Sequence, residues 1–419
     1  MHKFNRTIVV GTVALALSVA SCSTKGGNSA QQKTDNSGVK TDYGVTDKDI
    51  TLGALTDQSG VFKAQGLAYT AANQIWADEV SAKGGICGRQ IKINVQDTAY
   101  QADKAVTLYA SIKDKVAGIV QVAGSPALAA IKQSIVSDHM LSVPAAWAST
   151  NLDVPEVFMV GATYDIEIIN GLAYLQDNGL IKDGDKIGHL YIDSEYGNSA
   201  ALGSEAYAKK HNQTIVPAKV TSTDVDMTPA ITQFKSVGVK AVVVTTTPAQ
   251  TGSAVTSMAA QGMGDLPVLG NNPSFSPPIL GTPAKDALGN YYRAVSWAPY
   301  SADKPTVQAM AKAYEAKHTD LPSDSVVFGY ASGLAFQSVL EAACKAKDLT
   351  RAGIVKAAKA VKVDMKGLTG PLDFSDPGQP STRSTYIEQA DPNAKGGLKI
   401  VQELTESTEA KSYKTPLQK

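Results

Sequence analysis

Two kinds of hydrophobic run alternate along the chain from Ile50 onward. Ile50–Leu55 is a short apolar stretch of strand type, and Gly66–Lys83 repeats its apolar positions at helical spacing. Gln90–Val95 alternates polar and apolar residues in strict succession, as a half-buried strand does, and Ala102–Lys115 returns to the helical period. Ala117–Val122 and Pro126–Ser137 repeat the pair. Strand and helix in this order predict βαβ units on a mostly parallel sheet. The rhythm starts again near Lys186, with strands predicted over Ile187–Ile192, Thr214–Val220, Ala241–Thr245 and Pro267–Gly270, and helices over Ser199–His211, Thr228–Ser236 and Gly252–Gln261. Two runs of one unit predict an α/β protein of two similar doubly wound lobes with a ligand cleft between them. After Tyr291–Trp297, helical stretches at Val307–Lys317, Val326–Lys345 and Ala352–Val361 return the chain to the first lobe, and Pro371–Phe374 and Thr385–Glu388 supply short antiparallel pieces. The expected organisation is one lobe over 47–163 plus 296–372, a second over 164–295 plus 373–404, and a polar tail over 405–419.

The segment ahead of these lobes has a different character. Lys3 and Arg6 precede an apolar or small-residue run over Thr7–Ala20, the charged and hydrophobic regions of a secretory signal, too short for a stable membrane span. Val19-Ala20-Ser21-Cys22 ends it and resembles a bacterial lipobox, which implies a signal over 1–21 and a lipid on Cys22; the alternative is an ordinary cleaved signal. No later uninterrupted apolar run has membrane-spanning length, so the lipid is the expected membrane attachment. Residues 22–46 are rich in Ser, Gly, Asn, Gln, Lys and Thr and are expected to form a flexible tether. The 39 basic and 39 acidic residues balance, and removal of 1–21 takes two basic residues and no acid, leaving −2. That balance argues against nucleic acid as a partner, because phosphate binding needs a surplus of Lys and Arg. Of three cysteines, only Cys87 and Cys344 remain after lipidation, which in an exported chain favours one disulfide over two separate thiols. Two thiols without a His cluster exclude a structural zinc site.

Ligands of open α/β sheets bind beyond the C-terminal ends of the strands. Those ends read Asp57–Gly60, Ala123–Ser125, Pro144–Trp147, Asp193–Tyr196, Thr246–Pro248 and Gly270–Asn272. Their hydroxyls and backbone N–H groups suit a small polar or carboxylate-bearing ligand. Gln65, beyond the first loop, and Thr247, inside a later one, belong to the candidate set.

The residues Gly53–Gly60, Ala82–Ile91, Ile119–Ser125, Ser142–Ala146, Asp193–Gly197 and Gly370–Phe374, in this order over roughly 48–402, resemble the type I periplasmic solute-binding proteins, in the branched-chain amino-acid-binding family of ABC importers. The resemblance implies capture of a small-molecule solute between lobes that close by hinge bending, and delivery to the permease subunits of an importer. On the matching positions, the family's carboxylate-binding Ser is Ser125. Its Pro-Ala-Ala-Thr loop is Pro144-Ala145-Ala146-Trp147, which keeps the Ala145 N–H and replaces the Thr hydroxyl by an indole. Its Tyr-Gly pair is Tyr196-Gly197, and its acid at the start of the second lobe falls at Tyr164-Asp165. The departure is Asn272, where an amino-acid binder places a Glu for the ligand ammonium. An unpaired buried ammonium costs several kcal/mol. The expected ligand is therefore a small organic solute, such as a carboxylate or amide, with no obligatory ammonium. Branched-chain amino acids, with Asp165 as ammonium partner, are the competing reading. A binding protein reporting to a membrane receptor is the functional alternative.

Enzyme chemistry finds no foothold. The chain has no HExxH, Walker A, GxSxG or CxxC element and no dinucleotide fingerprint after its first strand, so no cofactor is expected. Of the five histidines, His2 is in the signal, His211 and His318 sit at polar helix ends, His189 is inside a strand and His139 precedes one.

Overall fold

A computed structural model describes residues 1–2, 32–376 and 378–418; Cys22 and most of the expected signal and tether lie outside them. The first sheet has strands β1 (Asp49–Thr56), β2 (Gln90–Asp97), β3 (Gly118–Ala123) and β4 (Ser142–Ala145), all parallel, in the order β2-β1-β3-β4. The second has β5 (Lys186–Ile192), β6 (Thr214–Val220), β7 (Ala241–Thr245), β8 (Val268–Asn271) and β9 (Tyr291–Val295), also parallel, in the order β6-β5-β7-β8-β9. The antiparallel strands β10 (Thr385–Ala390) and β11 (Leu398–Thr405) extend its β9 edge. Each sheet starts in the middle and reverses direction after its second strand, so each has one switch point, at β1/β3 and β5/β7. The repeated rhythm in the sequence is thus a repeated topology.

Helices α1 (Lys63–Ala82), α2 (Ala102–Ile112) and α3 (Ser125–Ser137) cover the first sheet, joined by α8 (Pro305–Glu315), α9 (Asp324–Lys345) and α10 (Arg351–Ala358). By length and composition α9 could cross a membrane, but it is mostly buried here. It packs along α1, closely enough that a Cβ on Gly333 would meet the Trp76 ring at 2.3 Å. Cys87, in the turn after α1, and Cys344, near the end of α9, form a disulfide with Cα atoms 5.9 Å apart, tying this pair of helices together. The second sheet carries α4 (Tyr164–Asp177), α5 (Glu195–Lys210), α6 (Thr228–Val237) and α7 (Pro248–Ala260).

Three findings differ from expectation. Helix α4 has no sequence signature because it is buried on nearly every side, Asp165, Glu167 and Asn170 included, and a helix without a wet face shows no 3.6-residue period. The expected tether is ordered from Lys33 onward. Lys33–Thr34 pairs with Lys40–Thr41, which pairs in turn with Asp348–Leu349, while Val39 and Val45 are buried and Asp35 meets the Arg89 guanidinium. Two valines and one ion pair anchor a stretch whose average composition is that of a linker. The polar tail is likewise docked: α11 (Thr408–Ser412) lies against α4 with Ala410 fully buried, and the Tyr413 hydroxyl donates to Asp165 at 3.1 Å.

The chain passes between the sheets over residues 146–163, 296–304 and 374–384. These passages are stitched side by side. Ser296 Oγ accepts from Ala162 N at 2.8 Å, and Ser381 Oγ accepts from Gly161 N at 3.1 Å while donating to Met159 O at 2.6 Å.

Candidate functional site

The C-terminal ends of the two sheets face one another across a cavity with about 420 Å³ free of protein atoms, part of it open to solvent. Aromatic side chains form most of its wall: Phe62 and Tyr69 from the start of α1, Tyr100 from the loop after β2, Trp147 after β4, Tyr164 at the start of α4 and Tyr196 in α5. They pack on one another and on a layer behind. Phe62 and Tyr100 have ring centroids 4.9 Å apart, Tyr164 and Tyr196 4.7 Å, and Trp147 rests on Trp297 at 5.1 Å and Phe328 at 4.7 Å. The Trp147 indole N–H donates to Val160 O at 3.1 Å, so its partner is the backbone and the ring serves as an apolar surface. The Tyr196 hydroxyl donates to Asn271 Oδ1 at 2.7 Å, which fixes that ring from behind.

The polar part of the wall is small. Ser125 is the first residue of α3, and its hydroxyl is buried with no hydrogen-bond partner among the described residues. A helix start offers backbone N–H groups without intrahelical partners and the positive end of the helix dipole. Gly124 allows this approach. Its φ is +96°, and a Cβ there would meet the Tyr100 ring at 2.5 Å. Its N–H donates to Ala145 O at 3.1 Å, joining the loops that carry Ser125 and Trp147. A buried donor hydroxyl, a helix start and an apolar box can hold one carboxylate and the hydrocarbon attached to it.

Among the described residues nothing comparable serves a cation. Asp57 lines the cavity, but its carboxylate accepts the N–H groups of Ser59, Gly60 and Phe62 at 3.3, 2.5 and 2.9 Å. Asp165, the expected ammonium partner in the competing reading, is fully buried away from the cavity and bonded to Thr163, Ile166 N and Tyr413. Thr247 is turned into a capping box at the start of α7, its hydroxyl accepting from Gln250 N at 3.2 Å while Gln250 Oε1 accepts from Thr247 N at 3.1 Å. Asn272 does not face the cavity either: its amide donates to both oxygens of Glu167 at 3.1 Å, and its neighbour Pro273 forms the wall instead. Gln65, Ser125, Ala145, Trp147, Tyr164 and Tyr196 do line the cavity. Phe62, Tyr69 and Tyr100 escaped the sequence reading, although Tyr100 sits where β2 ends and the same strand-end rule would have found it.

Behind the wall lies a charged network. Arg293 of β9 is fully buried and bonds Glu388 of β10 at 2.5 and 2.9 Å, Asp324 at the start of α9 at 2.6 Å, and Asn272 O at 3.3 Å. Burial opposes the Arg293 charge, but Asp324 and Glu388 outweigh it and raise its pKa. Burial pushes Glu167 up to about 8 against the bonds from Asn272, and pushes Glu388 upward while the charge and hydrogen bonds of Arg293 pull it back. The Glu167 value lies above the ordinary 4.5, so the folded protein keeps a proton that the unfolded chain releases between about pH 4.5 and 8. This contribution is complete below pH 4.5 and is lost as pH rises through 8. Urea unfolding at pH 5, 6, 7 and 8 should show stability falling by up to about 1.4 kcal/mol per pH unit for each retained proton. Glu167→Gln should flatten the slope; an unchanged slope in that variant contradicts the protonation of Glu167.

Solved structures share the whole architecture. A fatty acid ABC transporter substrate-binding protein from Thermomonospora curvata is 39% identical, over 92% of this chain and 99% of that one, with a TM-score of 0.89. A branched-chain amino acid ABC transporter protein from Thermus thermophilus, with bound valine, is 18% identical over 88% of this chain and 99% of that one, with a TM-score of 0.75. A leucine-binding protein from Thermotoga maritima is 15% identical over 84% and 97%, with a TM-score of 0.73. At the two lower identities the likeness is one of fold. No curated protein sequence matches the chain. The sequence profile of the periplasmic binding proteins matches residues 49–397, and this family and these neighbours are solute-binding proteins, not enzymes. With its two sheets of one topology, its cleft between their strand ends and that match, the chain belongs to the periplasmic binding protein family.

Proposed function

We propose that the protein captures a small organic acid with an apolar or aromatic body and delivers it to the permease subunits of an ABC importer. Family membership implies an extracytoplasmic protein. The observation that carries the ligand class is the lining: six aromatic rings and one unpartnered buried serine hydroxyl at a helix start, with every nearby carboxylate already committed. The carboxylate sits against Ser125 and the Ala145 N–H. The hydrocarbon lies among Trp147, Tyr164, Tyr196, Tyr69, Tyr100 and Phe62, where each buried methylene is worth about 0.8 kcal/mol. The Thermomonospora curvata protein, described as a fatty acid transporter component, supports an apolar acid over an amino acid.

The membrane attachment rests on sequence alone. Val19-Ala20-Ser21-Cys22 after an apolar run marks Cys22 as the lipid-bearing first residue of the mature protein. Mass spectrometry of the mature amino-terminal peptide checks it: a diacylglyceryl group on Cys22 is expected, and an unmodified peptide beginning elsewhere contradicts it.

Calorimetry with hexanoate, benzoate and their methyl esters tests the ligand class. The acids should bind and the esters should not. Ser125→Ala should weaken acid binding about 5- to 150-fold through the loss of one buried partner of the carboxylate. Equal binding of acid and ester, or no effect of Ser125→Ala, contradicts the assignment.

A further inference from the structure

The cavity has a neighbour. A larger groove, with about 1150 Å³ free of protein atoms and open to solvent, runs outward between Val61 and Ala64 on the α1 side and Pro248, Gly252, Ile279 and Ala284 on the other. Its lining is mainly apolar, and Val61 is 42% exposed. Between the linings of cavity and groove, one residue is shared: Gln65. The remaining boundary is made by Phe62 and Gly66 on the inner side, Lys63 and Ala64 on the outer side, and the loop from Pro273 to Ser276, whose first residue faces the cavity and whose last faces the groove.

Gln65 closes this boundary with its side chain. Its Nε2 donates across the cleft to Pro273 O at 3.1 Å and to Phe275 O at 3.5 Å, and the residue is only 4% exposed. Both bonds go to neutral carbonyls of the opposite lobe, and a glutamine side chain is unbranched and rotatable, unlike the interlocked rings of the remaining wall. A partition of this kind separates two apolar spaces by one amide group.

We propose that Gln65 sets the length of acid the cleft accepts, by walling the aromatic cavity off from the outer groove. The assignment rests on the organic-acid reading given above. An acid held at Ser125 fills the cavity with its tail. A longer tail must displace the Gln65 amide from two carbonyls before it reaches apolar surface again in the groove. Loss of the side chain joins the two spaces into one channel, along which each added methylene finds apolar walls and tightens binding about four-fold.

Calorimetry across straight-chain acids from butanoate to dodecanoate, with the wild-type protein, Gln65→Ala and Gln65→Leu, tests this. In the wild type, affinity should rise with chain length, peak, and then fall. In Gln65→Ala the peak should move to longer acids by several methylenes. Gln65→Leu keeps the bulk without the hydrogen bonds, so its peak should stay near the wild-type length. Thermal unfolding of each variant confirms that it is folded. An unmoved peak in Gln65→Ala overturns the proposal, as does a uniform loss of affinity at every length in both variants, which would make Gln65 a latch between lobes and not a wall. Failure of the wild type to bind any acid overturns the organic-acid reading, and this assignment with it.

Discussion

One buried guanidinium holds the two halves of the binding site in register. Arg293 projects from β9, receives Glu388 from the strand paired with it, and reaches Asp324 at the first turn of α9, which packs on the other sheet. A further hydrogen bond, to the carbonyl of Asn272, places the loop whose Pro273 forms the cavity wall. Asn272 in turn gives its amide to Glu167. Loss of one partner from a buried ion pair typically costs about 3–5 kcal/mol, far more than a surface pair is worth. A cation with two carboxylates and a carbonyl therefore fixes the distance between β9, α9 and the loop after β8. The Trp297 indole N–H, donating to Asp324 at 2.8 Å, links that cation to the aromatic layer on which Trp147 rests.

This arrangement leaves the cavity wall apolar. The loop after β8, whose asparagine replaces the acid expected of an amino-acid binder, has no negative charge to offer. The nearest acid, Glu167, is occupied by that same asparagine and pushed up to about 8 by burial. The polar network lies behind the rings, so it supports the wall without facing the cavity. What faces the cavity is aromatic surface plus the start of α3.

Much of the architecture was legible because it repeats: the βαβ rhythm, its restart near Lys186, and the return of the chain to the first lobe follow from hydrophobic period alone. The site was legible where it lies on loops after parallel strands, which brought Ser125, Ala145, Trp147 and Tyr196 to notice before any geometry. It was not legible on α4. Successive residues of a helix point about 100° apart, so Tyr164 faces the cavity while Asp165 beside it faces Tyr413 in the carboxyl-terminal segment. Thr247 and Asn272 mislead for a related reason. Thr247 caps the helix it begins and Asn272 bonds Glu167 of α4, and no spacing in the sequence distinguishes such groups from one that meets a ligand. The ordered stretch from Lys33 to Val45 was hidden by composition, since two buried valines and one ion pair are invisible in an average.

The cleft we propose is made for a carboxylate without an ammonium. Leucine and 4-methylpentanoate differ in that group alone, so titration calorimetry of this pair against the wild-type protein is the direct measurement. An unpaired buried ammonium costs several kcal/mol, which predicts that 4-methylpentanoate binds at least about 100-fold more tightly than leucine. Leucine binding as tightly as its deaminated counterpart, or more tightly, would contradict the account.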